Sequence, residues 1–201
     1  MSQIGFSPIV GVCEKGILGS NTLYNINLIK GSPFDINFLL CILNSSLIKA
    51  YWISKYSDGK KLFPKIKGFQ LKELPIKITK ENNQIQFIEK ANKMLSLNKY
   101  LQKIADSFVS LLQGKFSLEK ISSKTEKWYK LEFSQFSQEL KKKKVQLSLS
   151  EEAEWMQYFN DQKQQVKDLK IEIDKTDKEI DQMVYELYGL TEEEIKIVEN
   201  S

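Results

Sequence analysis

Two long stretches of the chain carry mostly apolar residues at alternating four- and three-residue intervals. The first stretch comprises Phe87, Ala91, Met94, Asn98, Leu101, Ala105, Phe108 and Leu112, and the second comprises Val166, Leu169, Ile173, Thr176, Ile180, Met183 and Leu187. This spacing is typical of the heptad seam of a coiled coil. Two such helices separated by a connector predict an antiparallel pair. Gly114 is expected to end the first helix and Gly189 the second.

The first 31 residues carry strand signals instead. Residues 5–12 and 21–29 are rich in apolar and β-branched residues, and the glycine-bearing residues 14–20 separate them. This pattern predicts a β-hairpin or two adjacent strands. A helix is then expected from near Pro33 and Asp35, because proline suits the first turn and an acid suits the positive end of a helix.

Residues 60–77 alternate lysines with apolar residues and contain Pro64 and Pro75, which prevent one continuous helix. They predict short strands and exposed loops. The chain is therefore expected to be an α+β protein, with a small α/β domain at residues 1–80. A long-helix antiparallel coiled-coil spacer follows at residues 81–201, with an inserted element at about residues 116–150.

Composition excludes several kinds of chemistry. All 30 basic residues among the 201 are lysine, and there is no histidine. Catalytic triads that use imidazole, histidine metal ligands and histidine general bases are therefore absent. Two cysteines, Cys13 and Cys41, are too few for a four-thiolate zinc site or a disulfide framework, which favours a reduced, cytoplasmic protein. The longest apolar run, residues 38–43, is too short to span a membrane.

The net charge of +4 hides a strong separation of charge along the chain. Residues 49–80 contain nine lysines and two acids, whereas residues 149–201 contain six lysines and fifteen acids. The basic region, with a net charge of +7, predicts a polyanionic partner, and aromatic residues lie among its lysines. A net charge of −9 in the carboxyl-terminal region is more typical of a scaffold.

The predicted DNA face is centred on this basic region. It comprises Tyr56, Ser57, Asp58, Lys60, Lys61, Lys65, Lys67 and Gln70, together with Ser20 and Asn21 from the region between the predicted strands. Lysines would contact phosphates and the polar side chains would read base edges. The alternative is that the aromatics are core residues and the lysines only solubilise a loop. The lysine run at residues 141–144 favours a solvated loop over a phosphate contact.

Two other classes of function remain open. The heptad helices are also expected of an interaction scaffold that docks a methyltransferase or nuclease subunit. Acid-x-lysine tripeptides at Asp168 and Glu194 match half of a metal-dependent nuclease signature, but they lie on predicted helices without an upstream Pro-Asp. Solvated helix charges explain them better. We therefore expect no catalytic and no metal-binding residue in this chain.

Five segments resemble a known family of domains. They are residues 22–24 (TLY), 39–46 (LLCILNSS), 63–67 (FPKIK), 71–76 (LKELPI) and 180–195 (IDQMVYELYGLTEEEI). The first four resemble the TaqI-like C-terminal specificity domain, which is the target-recognition domain of type IIG restriction-modification enzymes and adenine-specific DNA methyltransferases. The last resembles the carboxyl end of the same proteins. The last segment is the longest and the most specific of the five.

The resemblance implies sequence-specific recognition of double-stranded DNA by a non-catalytic portion of such an enzyme. Residues 1–80 would be the target-recognition domain and residues 81–201 its helical spacer. The expected partners are duplex DNA and the methyltransferase or endonuclease domains of the same polypeptide or complex. S-adenosylmethionine and magnesium would be used only by those upstream domains, because the four isolated prolines exclude an Asn-Pro-Pro-aromatic motif here.

Overall fold

The computed structural model of the protein describes Gly5 and residues 7–13, 23–56 and 65–201. In these ranges the chain forms eight α-helices and one short 3-10 helix. They are α1 (Ile36–Asn44), α2 (Ser46–Tyr56), α3 (Gly68–Lys72), α4 (Glu81–Phe116), α5 (Ser123–Glu126), the 3-10 helix (Trp128–Lys130), α6 (Phe133–Lys142), α7 (Leu149–Tyr188) and α8 (Glu192–Glu199).

The α+β prediction is wrong, because the described residues form no sheet; only Leu23 and Lys65 occupy isolated β-bridges. The described parts of the two predicted strands do not pair as a hairpin. The side-chain amide of Asn44 instead accepts a hydrogen bond from the Val10 N–H at 2.9 Å and donates one to the Val10 carbonyl at 3.0 Å. The Asn44 side chain therefore makes the hydrogen bonds to Val10 that a partner strand would otherwise make. Tertiary contacts override the local strand propensity of these residues.

The chain divides into two compact units, and the boundaries fall inside the two long helices. Unit 1 comprises Met1–Lys93 and Thr176–Ser201, and unit 2 comprises Met94–Lys175. Helices α4 and α7, of 36 and 40 residues, therefore contribute to both units. The long helices agree with the heptad prediction, although α4 continues two residues beyond Gly114.

The core of unit 1 lies between α1, α2 and the ends of the long helices. Its buried side chains include Phe38, Ile42, Ile48, Trp52, Phe87 and Val184. Phe38 and Phe87 pack edge to face, with ring centroids 5.2 Å apart. Asp35 starts α1 as expected, since its carboxylate accepts the Asn37 N–H at 2.7 Å.

The break between α1 and α2 at Ser45 was not expected. The buried Ser45 hydroxyl donates to the Ile42 carbonyl at 2.7 Å and accepts the Ile48 N–H at 3.3 Å. Among the described residues, no single helix is long and apolar enough to cross a membrane. Helices α1 and α2 meet that criterion only as a pair, which is bent by 57° at this break.

The start of α2 is capped by a residue from the far end of the sequence. The Asp181 carboxylate of α7 accepts the Ser46 N–H at 2.8 Å and the Ser46 hydroxyl at 2.6 Å. Tyr188, at the end of α7, donates its hydroxyl to the Pro75 carbonyl at 2.6 Å and accepts the Lys77 N–H at 3.1 Å. Helix α8 packs against α2. Residues near the carboxyl terminus therefore complete unit 1.

Unit 2 is built around an aromatic core. Phe108 of α4, Trp128, Phe136 of α6 and Phe159 of α7 are fully buried in it. The rings of Phe108 and Phe159 lie 6.0 Å apart and those of Phe116 and Trp155 lie 5.4 Å apart, so α4 and α7 run antiparallel within this unit. The aromatic residues of the predicted inserted element are thus core residues.

The end of α7 follows the sequence prediction closely. Gly189 has a φ of +74°, and its N–H donates to the Glu186 carbonyl at 3.1 Å. The Leu190 N–H donates to the Tyr185 carbonyl at 3.0 Å, which completes a Schellman motif. Thr191 and Glu194 then form the predicted capping box of α8.

Two glycine substitutions are expected to have opposite effects on stability. Gly189→Ala should lower the free energy of unfolding by about 1 kcal/mol, because an L-residue is strained at positive φ. Gly114→Ala should raise it by about 0.5–1 kcal/mol, since a Cβ at this position in α4 meets no atom within 4 Å. Urea unfolding followed by circular dichroism measures both changes. Stabilisation by Gly189→Ala would contradict the Schellman assignment.

Candidate nucleic-acid interface

Two of the predicted phosphate contacts flank an anchored residue. Lys65 and Lys67 are exposed, whereas Ile66 between them is only 3% exposed. The Tyr24 hydroxyl donates to the Ile66 carbonyl at 3.1 Å, which fixes the backbone at this point. Neighbouring side chains of extended backbone point to opposite sides. Burial of Ile66 therefore directs both lysines toward solvent.

The next residues form the short helix α3, which begins at this basic segment. The Lys67 N–H donates to the side-chain oxygen of Gln70 at 2.8 Å, and the Gln70 N–H donates to the Lys67 carbonyl at 3.0 Å. Phe69 is 56% exposed, and the Lys67 ammonium lies 5.9 Å from the centroid of its ring. A lysine and an exposed aromatic ring are the groups that contact a phosphate and a base or sugar.

A second group of residues joins the end of α2 to the end of α3. The Tyr56 hydroxyl donates to the Glu73 carboxylate at 2.7 Å, and the Lys55 ammonium lies 3.1 Å from the same oxygen. Lys55 also donates to the Tyr51 hydroxyl at 2.9 Å. Its nitrogen lies 5.3 Å from the ring centroids of both tyrosines. We call these four residues, Tyr51, Lys55, Tyr56 and Glu73, the Glu73 network.

The ionisation of the Glu73 network follows from its hydrogen bonds. The bond from Tyr56 and then the contact with Lys55 lower the pKa of Glu73. Bonds to Tyr51 and Glu73 raise the pKa of Lys55. Loss of solvent around the hydroxyl, and its bond to Glu73, raise the pKa of Tyr56. At neutral pH the network therefore contains a charged Glu73 carboxylate, a charged Lys55 ammonium and a neutral Tyr56 phenol.

The structure describes four of the ten residues predicted to contact DNA. Lys65, Lys67 and Gln70 lie together at the start of α3, and Tyr56 belongs to the Glu73 network. The oxygen of Gln70 and the hydroxyl of Tyr56 both have partners within the chain. The other six, which are Ser20, Asn21, Ser57, Asp58, Lys60 and Lys61, lie outside the described residues.

Sequence reasoning assigned no role to Glu73, and it counted Tyr51 and Lys55 in the basic region without including them in the predicted DNA face. Glu73 is one of only two acids in the basic residues 49–80, and such isolation is a signal that could have identified it. The pairing itself was not visible, because it joins residues 18 positions apart across a segment that contains Pro64.

The acids of the nuclease alternative have other roles in the structure. Asp168 accepts a hydrogen bond from Gln164 at 2.7 Å, and Glu194 caps α8 through Thr191. In the part of the chain that the structure describes, no group of three or more histidine, cysteine or acidic residues could hold a metal ion. Burial and then the charge of Asp177 raise the pKa of the Cys41 thiol to about 12, so this thiol is not a nucleophile at neutral pH.

Comparison with protein families gives two adjacent matches. Residues 1–76 match the model of the TaqI-like C-terminal specificity domain, and residues 80–184, more than half of the chain, match the Domain of unknown function DUF8810. The chain belongs to the DUF8810 family, and its residues 1–76 are similar to the TaqI-like C-terminal specificity domain. No curated protein and no solved structure matches it.

The match confirms the family resemblance seen in the sequence. A TaqI-like specificity domain has a DNA-recognition role in restriction-modification enzymes and is itself non-catalytic. Tyr51, Lys55, Tyr56, Lys65, Lys67, Gln70 and Glu73 all lie within the matched residues. The charged surface described above therefore lies within the residues that match the TaqI-like specificity domain.

Proposed function

We propose that this chain recognises a specific sequence in duplex DNA as the non-catalytic specificity portion of a type IIG restriction-modification enzyme or an adenine-N6 DNA methyltransferase. The observation that carries the proposal is the pair of exposed lysines, Lys65 and Lys67, held around buried Ile66 within the TaqI-like specificity domain. Because the backbone at Ile66 is anchored, the positions from which the side chains of Lys65 and Lys67 extend are fixed. Phosphate contacts of this kind set the register of a protein on DNA.

The chemistry of recognition is limited by residue usage. With no arginine, the chain lacks the fork that most often reads guanine, so base contacts must use lysine, amide, hydroxyl or carboxylate groups. Ser20, Asn21, Ser57, Asp58 and Gln70 are the polar side chains that we propose for base contacts, and Lys60 and Lys61 are further phosphate contacts.

The proposed partners supply the catalytic activity that this chain lacks. Methyltransferase and endonuclease domains of the same polypeptide or complex would bind S-adenosylmethionine and magnesium, and the present chain would position them at the recognised site. We therefore also propose that the protein acts in the cytoplasm, where it meets the DNA. No catalytic residue and no cofactor is assigned to the chain itself.

Salt dependence tests the proposal directly. The full chain should bind a random-sequence 30-bp duplex at low salt, with an affinity that falls steeply as salt rises. Replacing both Lys65 and Lys67 with glutamine should weaken binding roughly tenfold at 0.1 M salt and reduce the slope of log affinity against log salt by about 2. A mobility-shift titration at several salt concentrations measures both quantities.

The matched control replaces Lys99 and Lys103 with glutamine on the exposed surface of α4 in unit 2, which makes the same change in charge. This control should bind like the wild type. Equal losses in both double variants would show that only net charge matters and would contradict the assigned face.

An interaction scaffold is the second candidate function, and the length of the helices favours it. Helices α4 and α7 contain 36 and 40 residues. Within unit 2, α4 and α7 run antiparallel, and we propose their exposed faces in this unit as the surface that docks a methyltransferase or nuclease subunit. The scaffold predicts no binding of random duplex at low salt. Capture of a purified methyltransferase subunit by the chain, in the absence of DNA, would then support it.

A further inference from the structure

An acidic residue lies inside the basic surface at the ends of α2 and α3. Glu73 lies six residues after Lys67, and the five residues of α3 are the ones between them. This spacing corresponds to ~9 Å along a helix axis. The Glu73 side chain is 49% exposed and Lys55, its partner, is 42% exposed. The carboxylate is therefore close enough to weaken the field of the neighbouring lysines at ordinary salt, where the Debye length is about 8–10 Å.

We infer that Glu73 is a specificity-determining residue that suppresses non-specific binding of duplex DNA, by repelling phosphates and by holding Lys55 and Tyr56 away from them. The inference rests on the proposed function and adds a role for an acid on its binding surface. Specificity is a difference between two affinities, so a repulsive group that weakens all non-specific complexes increases specificity without any new base contact.

The geometry of the Glu73 network suits an exchange of partners. Lys55 and Tyr56 both bond to one carboxylate oxygen of Glu73, and a phosphate oxygen offers the same kind of anionic acceptor. An exposed ion pair contributes little net stability, so Lys55 can leave Glu73 at small cost. Cation–π contacts with the rings of Tyr51 and Tyr56, whose centroids both lie 5.3 Å from the ammonium of Lys55, keep this ammonium in place for either acceptor.

The exchange distinguishes two kinds of DNA complex. A correctly seated duplex brings a phosphate close enough to replace the carboxylate as the partner of Lys55. In a non-specific complex no phosphate comes this close. Glu73 then repels the phosphates, and Lys55 stays paired with Glu73. Repulsion between Glu73 and phosphate is thus compensated only in the seated complex, which is how an unfavourable charge discriminates between partners.

The test replaces Glu73 with glutamine in the full chain and titrates the same random 30-bp duplex. Glutamine keeps an oxygen that can accept the Tyr56 hydroxyl, but it removes the charge and releases Lys55. The affinity at 0.1 M salt should rise about five- to tenfold, and the salt slope should increase by about 1, as expected for one additional phosphate contact. The control Glu89→Gln makes the same change in charge at an exposed position of α4 within unit 1 and should have little effect.

A second variant separates release of Lys55 from loss of charge. The double variant with Lys55→Gln and Glu73→Gln should bind DNA less tightly than Glu73→Gln alone. Its slope of log affinity against log salt should lack the increase of about 1 expected for Glu73→Gln. Unchanged or weaker binding by Glu73→Gln, or an equal gain in Glu89→Gln, would overturn the inference while leaving the proposed function intact. Absence of wild-type binding at low salt would overturn both.

Discussion

Replacing Phe108 with alanine is expected to lower the free energy of unfolding of unit 2 by about 3–5 kcal/mol. Phe108 is fully buried, and its ring lies 3.9 Å from that of Trp128 in a stacked arrangement. Four further rings lie within 6.0 Å, those of Phe136, Trp155, Tyr158 and Phe159. Truncation removes all of these contacts and leaves a cavity that surrounding helices cannot easily fill.

Urea unfolding, with tryptophan fluorescence as the signal, measures this effect, because Trp128 and Trp155 both lie in unit 2. Hydrogen exchange by mass spectrometry then shows whether protection is lost within Met94–Lys175. The matched control is Leu111→Ala on the same helix, where the side chain is 48% exposed and the expected loss is small. A loss below about 1.5 kcal/mol for Phe108→Ala would contradict the central position of this ring.

Replacing Asp181 with alanine is expected to destabilise unit 1 by about 2 kcal/mol. Its carboxylate accepts both the N–H and the hydroxyl of Ser46, at 2.8 and 2.6 Å, at the amino end of α2. Alanine leaves two part-buried donors without this acceptor and removes a negative charge from the positive end of a helix. Both effects act in the same direction.

Hydrogen exchange in α2 and α8, together with urea unfolding, measures the loss of Asp181. Glu186→Ala, on an exposed position of the same helix, should change stability by less than about 0.5 kcal/mol. A double-mutant cycle with Ser46→Ala isolates the bond between the two side chains. Additive effects in that cycle would mean that the 2.6 Å contact contributes no coupling energy.

The helical parts of the fold were predictable because their signals are long and redundant. A heptad pattern maintained over 26 residues in α4 constrains the helix at many positions, and the Gly189 and Thr191 caps mark the end of α7 with specific backbone chemistry. The break at Ser45 had only a local signal, the sequence Asn-Ser-Ser, which competes with a continuous apolar helix pattern.

The strand prediction failed for a physical reason. Alternation of apolar residues indicates an extended chain with one protected side, but it does not identify what the backbone bonds to. The Val10 N–H donates to the side-chain oxygen of Asn44, 34 residues away, so its hydrogen bond does not require a partner strand. Packing of the aromatic residues around Trp128 was likewise invisible, since their partners lie on α4 and α7.

The candidate site was predictable only in its charge. Lysine density predicted a solvent-exposed basic segment, and Lys65 and Lys67 are both exposed. The density of lysines could not show that the side chains of Tyr56 and Gln70 form hydrogen bonds within the chain, or that Glu73 forms an ion pair with Lys55. These features depend on tertiary geometry at the ends of two short helices, where a change of one residue in a helix boundary alters every contact.

The contact between Ser46 and Asp181 also determines the order in which the protein can assemble on the ribosome. These residues are 135 positions apart, and all of unit 2 is synthesised between them. Domains fold as units during synthesis, and contacts distant in sequence form late. Unit 2 can therefore reach its native packing while α2 still lacks its cap. Unit 1, which also contains Lys65 and Lys67, can be completed only after Asp181 has left the exit tunnel.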